Sequence, residues 1–301
     1  MADTAAAKIA LRPDRGVIAL TGPDAVSLLQ GVITNDMDLL ATQPALHTAL
    51  LTPQGKILVD FFVIKNGDGL LLDCPRDKVP DLIKRLTMYL LRAKVEIADV
   101  SDKSCITAVW GVASDPNDSA ANATSTIVCF GDPRNSAMGF RSIFPVIAEV
   151  YEHAFAVHGM QRVDASDYHE RRISLGVPEG GRDYVFGDTF AHEALLDQLH
   201  GVSFTKGCYV GQEIVSRMQH RGTARKRIVR VVAPGALPKP GAEIAAGETV
   251  IGTLGSTNGH EGLALIRLDR AAEALAKGIT LAAGPSPIQV EIPPWATFKL
   301  G

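Results

Sequence analysis

Lys206-Gly207-Cys208-Tyr209-Val210-Gly211-Gln212-Glu213 outweighs every other stretch of this chain. Two glycines bracket a cysteine, a lysine stands two residues before it, and an amide and a carboxylate follow. Gly207 and Gly211 imply a chain that bends sharply or is closely approached by other backbone. Residues 212–218 read as a short helix, with Ile214, Val215 and Met218 on its apolar face and Gly222 past its end. Cys208 then lies just before a helix N-terminus and near the Lys206 ammonium, and both lower a thiol pKa. The same residues also read as an inert cysteine buried in a tight turn, since free Cys is among the most buried residue types. The surrounding density of Lys, Gln, Glu and Arg favours a reactive thiol.

The octapeptide resembles the K-G-C-Y-x-G-Q-E motif of the YgfZ family, folate-binding-like proteins of iron–sulfur cluster maintenance. That family is part of the glycine-cleavage T-protein (aminomethyltransferase) superfamily. The likeness continues through Ser216-Arg217-Met218-Gln219-His220-Arg221-Gly222, which is similar to mitochondrial iron–sulfur assembly factors related to YgfZ. Near the start, Gln30-Gly31-Val32-Ile33-Thr34-Asn35-Asp36 is similar to the family's Q-G-x-x-T-N-D segment. Read alone, Thr34, Asn35 and Asp36 form a helix-capping turn; the resemblance makes Asn35 and Asp36 candidates for the wall of a central cavity. Arg171-Arg172-Ile173-Ser174-Leu175-Gly176-Val177-Pro178 resembles the family's R-R-I-x-x-G-I-P run. T-proteins carry an acid in R-x-E-x-G that helps recognise the pterin of tetrahydrofolate, and the matching position here is Ser174. A serine cannot replace the paired acceptors of a carboxylate, which speaks against ordinary folate-dependent aminomethyl transfer.

With 301 residues and 46% hydrophobic content, the chain is long enough for two or three packed cores. A net charge of -3 is neutral on nucleic acid, and no apolar run is long enough to span a membrane. Residues 1–7 lack the basic and apolar regions of a signal peptide. Cys74, Cys105, Cys129 and Cys208 form no C-x-x-C pair and fit a reducing compartment. That leaves no stably bound metal expected. The compartment expected is a bacterial cytoplasm, or the mitochondrial matrix if the host is eukaryotic.

Along the chain, 16–20 reads as a strand and Asp24 as the cap of a helix over 25–29. Residues 47–51, 56–64 and 70–73 read as an antiparallel meander turning at Thr52-Pro53-Gln54-Gly55 and Asn66-Gly67-Asp68-Gly69. Residues 77–91 form an amphipathic helix, with Arg92 and Lys94 at its solvated end and a strand over 95–100 after it. The family also has a basic R-x-K pair here. Further strands are expected at 105–112, 126–130 and 138–143, with a solvent loop over 113–125; 147–155 reads as strand or helix. A helix over 164–175 ends at Gly176. Beyond it, His192 and Glu193 read as surface residues of a loop–helix junction, with the cavity as the other reading. From Arg217 to Arg230 there are six cations and no acid: a solvated connector, or a patch for a polyglutamate tail, a phosphate or tRNA. After 228 the texture becomes β-like, with runs at 228–232, 249–254, 262–268 and 288–292 and one helix, 269–277, capped by Asp269.

These residues support an α+β chain with a small C-terminal β-barrel-like domain at 228–301. The T-protein (GcvT/YgfZ) resemblance implies a multidomain fold around a central opening. Residues 1–227 would form its folate-binding region, as two interleaved subdomains, one centred on 48–145. It implies an accessory protein for iron–sulfur cluster assembly or repair that binds tetrahydrofolate or a derivative and exposes a reactive Cys208. Lys206 would stabilise the thiolate. Asn35, Asp36, Arg172, Tyr209, Gln212, Glu213, Arg217 and Arg221 are the candidate ligand-binding residues. The partners implied are a folate-like molecule and iron–sulfur client or assembly proteins. The other two readings are a folate-dependent one-carbon transferase, the one enzyme class in view, and a tRNA- or partner-binding scaffold.

Overall fold

Short apolar runs, several of them buried on both faces, build the first part of the chain into two five-stranded sheets. The computed structural model describes residues 7–112, 127–146, 160–222 and 224–300. The loop read at 113–125 and the element read at 147–155 lie outside them. The chain clusters into two compact units: Met1–Ala49 with Val59–Tyr168, and Leu50–Leu58 with His169–Gly301.

In the first unit, β1 (Lys8–Leu11) and β2 (Arg15–Thr21) precede α1 (Ala25–Val32). The meander follows as β3 (Ala45–Leu51), β4 (Ile57–Asn66) and β5 (Gly69–Pro75). Then come α2 (Val79–Tyr89), β6 (Glu96–Asp99), β7 (Ser104–Trp110), β8 (Val128–Gly131), β9 (Phe140–Pro145) and β10 (Gln161–Val163). One sheet runs β3-β4-β5-β2-β6 and the other β10-β1-β7-β9-β8. Val17, Phe62, Ile64 and Leu71 of the first share a core with Ile106, Phe130 and Ile143 of the second. β1 and β10 were not expected. Each is four residues or fewer, too short for a period-two pattern to register.

Strand alternation carries a charge into this core. Arg141 lies two residues before Ile143 on β9 and so faces the same way. Its Nε and Nη2 donate to Asp73 Oδ2 at 2.9 and 2.6 Å, while Arg15 Nε donates to Asp73 Oδ1 at 2.6 Å. Burial opposes charge on Asp73, but Arg141 and Arg15 overturn it and hold the carboxyl below its usual range. Nearby, Arg134 grips Asp132 at 2.9 and 2.7 Å. The guanidinium groups of Arg141, Arg134 and Arg15 lie 4.7, 5.0 and 5.7 Å from the Phe62 ring centre.

Asp24 does not cap α1 with its side chain; its Oδ2 accepts from Lys94 N at 2.8 Å. α2 stops two residues before the expected end, because Leu91 turns into the left-handed region at φ 47°.

In the second unit, α3 (Ala165–Ser174) runs in from the first and ends at Gly176, whose φ of 76° lets its N–H reach Ile173 O. The candidate loop and α4 (Gln212–Arg221) follow. The C-terminal strands are β11 (Lys226–Val232), β12 (Glu243–Ala246), β13 (Thr249–Asn258), β14 (Glu261–Arg267), β15 (Leu281–Ala283) and β16 (Ser286–Glu291). They close into a six-stranded barrel, β11-β14-β13-β12-β15-β16, around Val229, Ile244, Ile251, Ile266 and Leu281. Of these strands, β12 and β15 were not expected. α5 (Leu268–Ala276) starts one residue before Asp269, so Asp269 is not its cap. That carboxylate accepts two hydrogen bonds from Arg267 instead, at 2.9 and 2.7 Å.

Candidate functional site

The cysteine loop is held from below and open on top. Lys206 and Tyr209 are buried, while Gly207 and Cys208 between them are exposed. The Lys206 ammonium lies 5.3 Å from the centre of the Tyr209 ring, a cation–π contact that anchors both ends of the tetrapeptide. Lys206 thus has a structural task that its sequence position did not suggest. Burial pushes the Tyr209 phenol up to about 12, which keeps it neutral. Of the four cysteines, only Cys208 is exposed. Burial pushes the Cys74 thiol up to about 12 and raises that of Cys105 as well. The buried-cysteine reading therefore does not describe Cys208.

Two glycines explain the bend. Gly211 has φ 84°, and a Cβ there would lie 2.7 Å from Thr52 O and 3.2 Å from Gly55 Cα. Gly55, at φ 80° in the 52–55 turn, would carry a Cβ 2.8 Å from Ile214 Cβ. The hairpin turn and the start of α4 press together where neither has room for a side chain. α4 begins four residues after Cys208 and ends on Gly222, also left-handed at φ 59°. Only Val215 of its expected apolar face is fully buried.

α4 is tied to the rest of its unit by His192. The imidazole Nε2 lies 3.1 Å from Gln219 Oε1, and its ring is 6.1 Å from that of Phe204. Arg227 donates to His192 O at 3.0 Å and grips Asp197 through two bonds of 2.9 Å. His192 is thus buried, not a surface residue; the apolar run Ala194, Leu195, Leu196 and Leu199 that follows was the signal to read. Burial is the main cause that holds its pKa below 6.5, with Asp197 and the Gln219 bond opposing and Arg227 assisting. A histidine neutral in the folded state and protonated in the unfolded one stabilises fully above pH 6.5 and loses that contribution as pH falls. The urea midpoint should fall between pH 7.5 and 5, and His192→Gln should flatten that slope. An unchanged slope in the variant would remove His192 as its cause.

Two of the six cations of the basic stretch are taken by carboxylates, while Arg217, Arg221, Arg225 and Lys226 are exposed. Arg227 is committed to Asp197, and Arg230 pairs with Glu261 at 3.0 Å and Glu291 at 2.9 Å. Arg217 has only a long 3.9 Å contact with Glu213 on α4, and Arg221 is exposed. Gln212 is half-buried.

Other sequence candidates are engaged elsewhere. Arg172 is fully buried: Nε donates to His169 Nδ1 at 3.0 Å, Nη1 to Asp183 at 2.6 Å and Nη2 to Ser256. In the first unit, Asn35 Nδ2 donates to His47 O at 2.8 Å. Asp36 caps the 3-10 turn Met37–Ala41 by accepting from Asp38 N, as a helix-capping turn requires. Ser174 is exposed, its hydroxyl donating to Arg171 O at 2.8 Å.

Comparison with known proteins adds what geometry leaves open. The chain is 33% identical over 276 residues to the mouse (Mus musculus) iron–sulfur cluster assembly factor IBA57, mitochondrial, covering 84% of this chain and 75% of that protein. The human (Homo sapiens) protein of that name is 34% identical, again with 84% and 75% covered. The chain belongs to the IBA57 family of iron–sulfur cluster assembly factors. The IBA57 homolog of Mycosarcoma maydis is 35% identical over 235 residues, 74% of this chain, and the chain spans 56% of that protein's length. Residues 225–298 match the family described as CAF17, C-terminal beta-barrel domain. Among solved structures, the glycine cleavage system aminomethyltransferase T from Bartonella henselae matches with a TM-score of 0.75. It covers 97% of this chain and 87% of its own, at 15% identity. That likeness speaks for the fold alone, so this IBA57-family chain has the T-protein fold of mixed helices and sheets with a closed barrel at its end.

Proposed function

We propose that the chain acts in iron–sulfur cluster assembly, in the manner the YgfZ resemblance implies, through the Cys208 thiolate as a transient cluster ligand or sulfur handle. The observation that supports this most is that the one exposed cysteine of four sits on the glycine-hinged loop, held out by the buried Lys206 and Tyr209. One thiol falls short of the four cysteines that usually hold such a cluster, so a client or assembly protein supplies the rest. The cluster is cargo in this reading. The relatives are named mitochondrial, and the matrix is the compartment proposed if the host is eukaryotic. The test is complementation of a deletion strain with wild type or Cys208→Ala, read as the activity of 4Fe–4S enzymes.

A tetrahydrofolate-type ligand belongs to the proposal on the resemblance. Exposed Arg221 and Arg217 fit the carboxylates of a glutamate tail. Arg172 and Asn35 do not fit its pterin, since their polar groups are bonded within the protein. Equilibrium dialysis should find tetrahydrofolate retained by the wild type and released by Arg217→Ala/Arg221→Ala. Retention by the double variant would remove both residues from the site. The transferase reading has only the shared fold in its favour, and the tRNA reading loses Arg227 and Arg230 to carboxylates.

A further inference from the structure

We infer that the C-terminal end of α2, with the groove beside it, is a docking surface for an acidic, apolar-centred segment of a partner protein. Met88 is 62% exposed and Leu91 93% exposed. Leu91 also holds φ 47°, a left-handed conformation that costs a branched L-residue and that glycine adopts freely. An exposed leucine in a strained backbone serves no packing purpose within its unit. Lys84, Arg85, Arg92 and Lys94 flank it along the chain, all exposed, with no acid between Asp81 and Glu96. None of the four side chains has a hydrogen bond or ion pair among the described residues. Four cations without a side-chain partner in a chain of net charge -3 mark a local positive field, which the Asp24 carboxylate on the Lys94 amide offsets in part.

The cationic loop adjoins a groove of about 560 Å³. Gly22, which lines that groove, is so close to the loop that a Cβ there would lie 2.2 Å from Lys94 O. Val26, Met37, Leu40 and Leu70 supply its apolar lining, and Asp38 and Asp68 also line it. A bilayer is too flat to enter a concave groove, while an extended segment of chain fits one. A nucleic-acid backbone would meet the two aspartates, and none of the described residues lining the groove is an aromatic that could offer a stacking platform. That leaves a protein segment, acidic where it meets Lys94 and Arg92 and apolar where it enters the groove. The choice of a protein partner rests on membership of an assembly-factor family. The surface itself does not involve Cys208.

The test titrates the full chain into a short fluorescent peptide of alternating Glu and Leu, beside a Glu–Ser peptide and phosphatidylcholine vesicles carrying phosphatidylserine. The Glu–Leu peptide should bind roughly tenfold more tightly than the Glu–Ser peptide, and more weakly as salt is added. Arg92→Glu/Lys94→Glu should cost roughly tenfold with the Glu–Leu peptide. Leu91→Gly should raise the thermal midpoint, by relieving strain, and erase the preference for leucine. Cys208→Ala should change neither, which separates this surface from the thiol reading. Equal affinity for the two peptides, indifference to charge reversal, or tighter binding to the vesicles would each overturn the inference.

Discussion

A deletion strain carrying Cys208→Ala should show 4Fe–4S enzyme activities no higher than the empty deletion strain, while the purified variant unfolds at the wild-type temperature. The two halves of this result come from different facts. Cys208 is exposed, so removing its sulfur opens no cavity and should alter stability by no more than about 0.5 kcal/mol. The loop is held by Lys206, Tyr209 and the glycine contact at Gly211, none of which the substitution touches. The function, in contrast, has no other exposed thiol to fall back on. Cys208→Ser should fail equally, because a hydroxyl keeps the shape but is not a soft ligand for iron. Iodoacetamide on the folded wild type should label Cys208 and spare Cys74, which is buried with its thiol pushed up to about 12. Full activity in Cys208→Ala would end the thiol reading. A large loss of stability would show that the cysteine serves the fold.

Asp73→Asn should be the most destabilising single change in the first unit. Its carboxylate serves Arg141 and Arg15 at once, and all three side chains are almost fully buried. An amide removes the charge that the buried Arg141 and Arg15 share, and breaking such a set costs about 3–5 kcal/mol. Many domains have only about 5–15 kcal/mol in total, so the variant should populate unfolded protein under mild conditions. Urea unfolding followed by circular dichroism measures the difference. The pH dependence has a definite sign. The folded pKa of Asp73 lies below 3.8, so its contribution is present above that value and is lost as pH falls through the folded pKa. Replacing the whole set with apolar residues, Arg15→Met/Asp73→Leu/Arg141→Met, should recover most of the loss, since ion triads are often replaceable by well-packed hydrocarbon. A loss below about 1 kcal/mol in Asp73→Asn would mean that water reaches the arginines.

Some of the candidate site could be read before any fold was known. The left-handed glycines at 211 and 222 mark the two ends of α4, and the motif located the exposed cysteine. What local spacing left open was which partner each charge takes. Arg227 and Arg230 read as members of a continuous basic run, but their carboxylates stand at 197, 261 and 291, each 30 residues or more away. Arg172 read as a ligand residue, and its acceptors at 169, 183 and 256 occupy it fully. Arg217 and Arg221, two of the arginines that stay exposed, are on α4 itself, where helical spacing could be counted directly.

Local chemistry determined the bends, helices and longer strands of this chain, because a glycine's freedom or an apolar period acts within a few residues. Tertiary structure alone decided which cations are neutralised and whether His192 is wet or dry. Burial and ion pairing are properties of the neighbourhood, and neighbours from distant parts of the chain are chosen only when each unit folds.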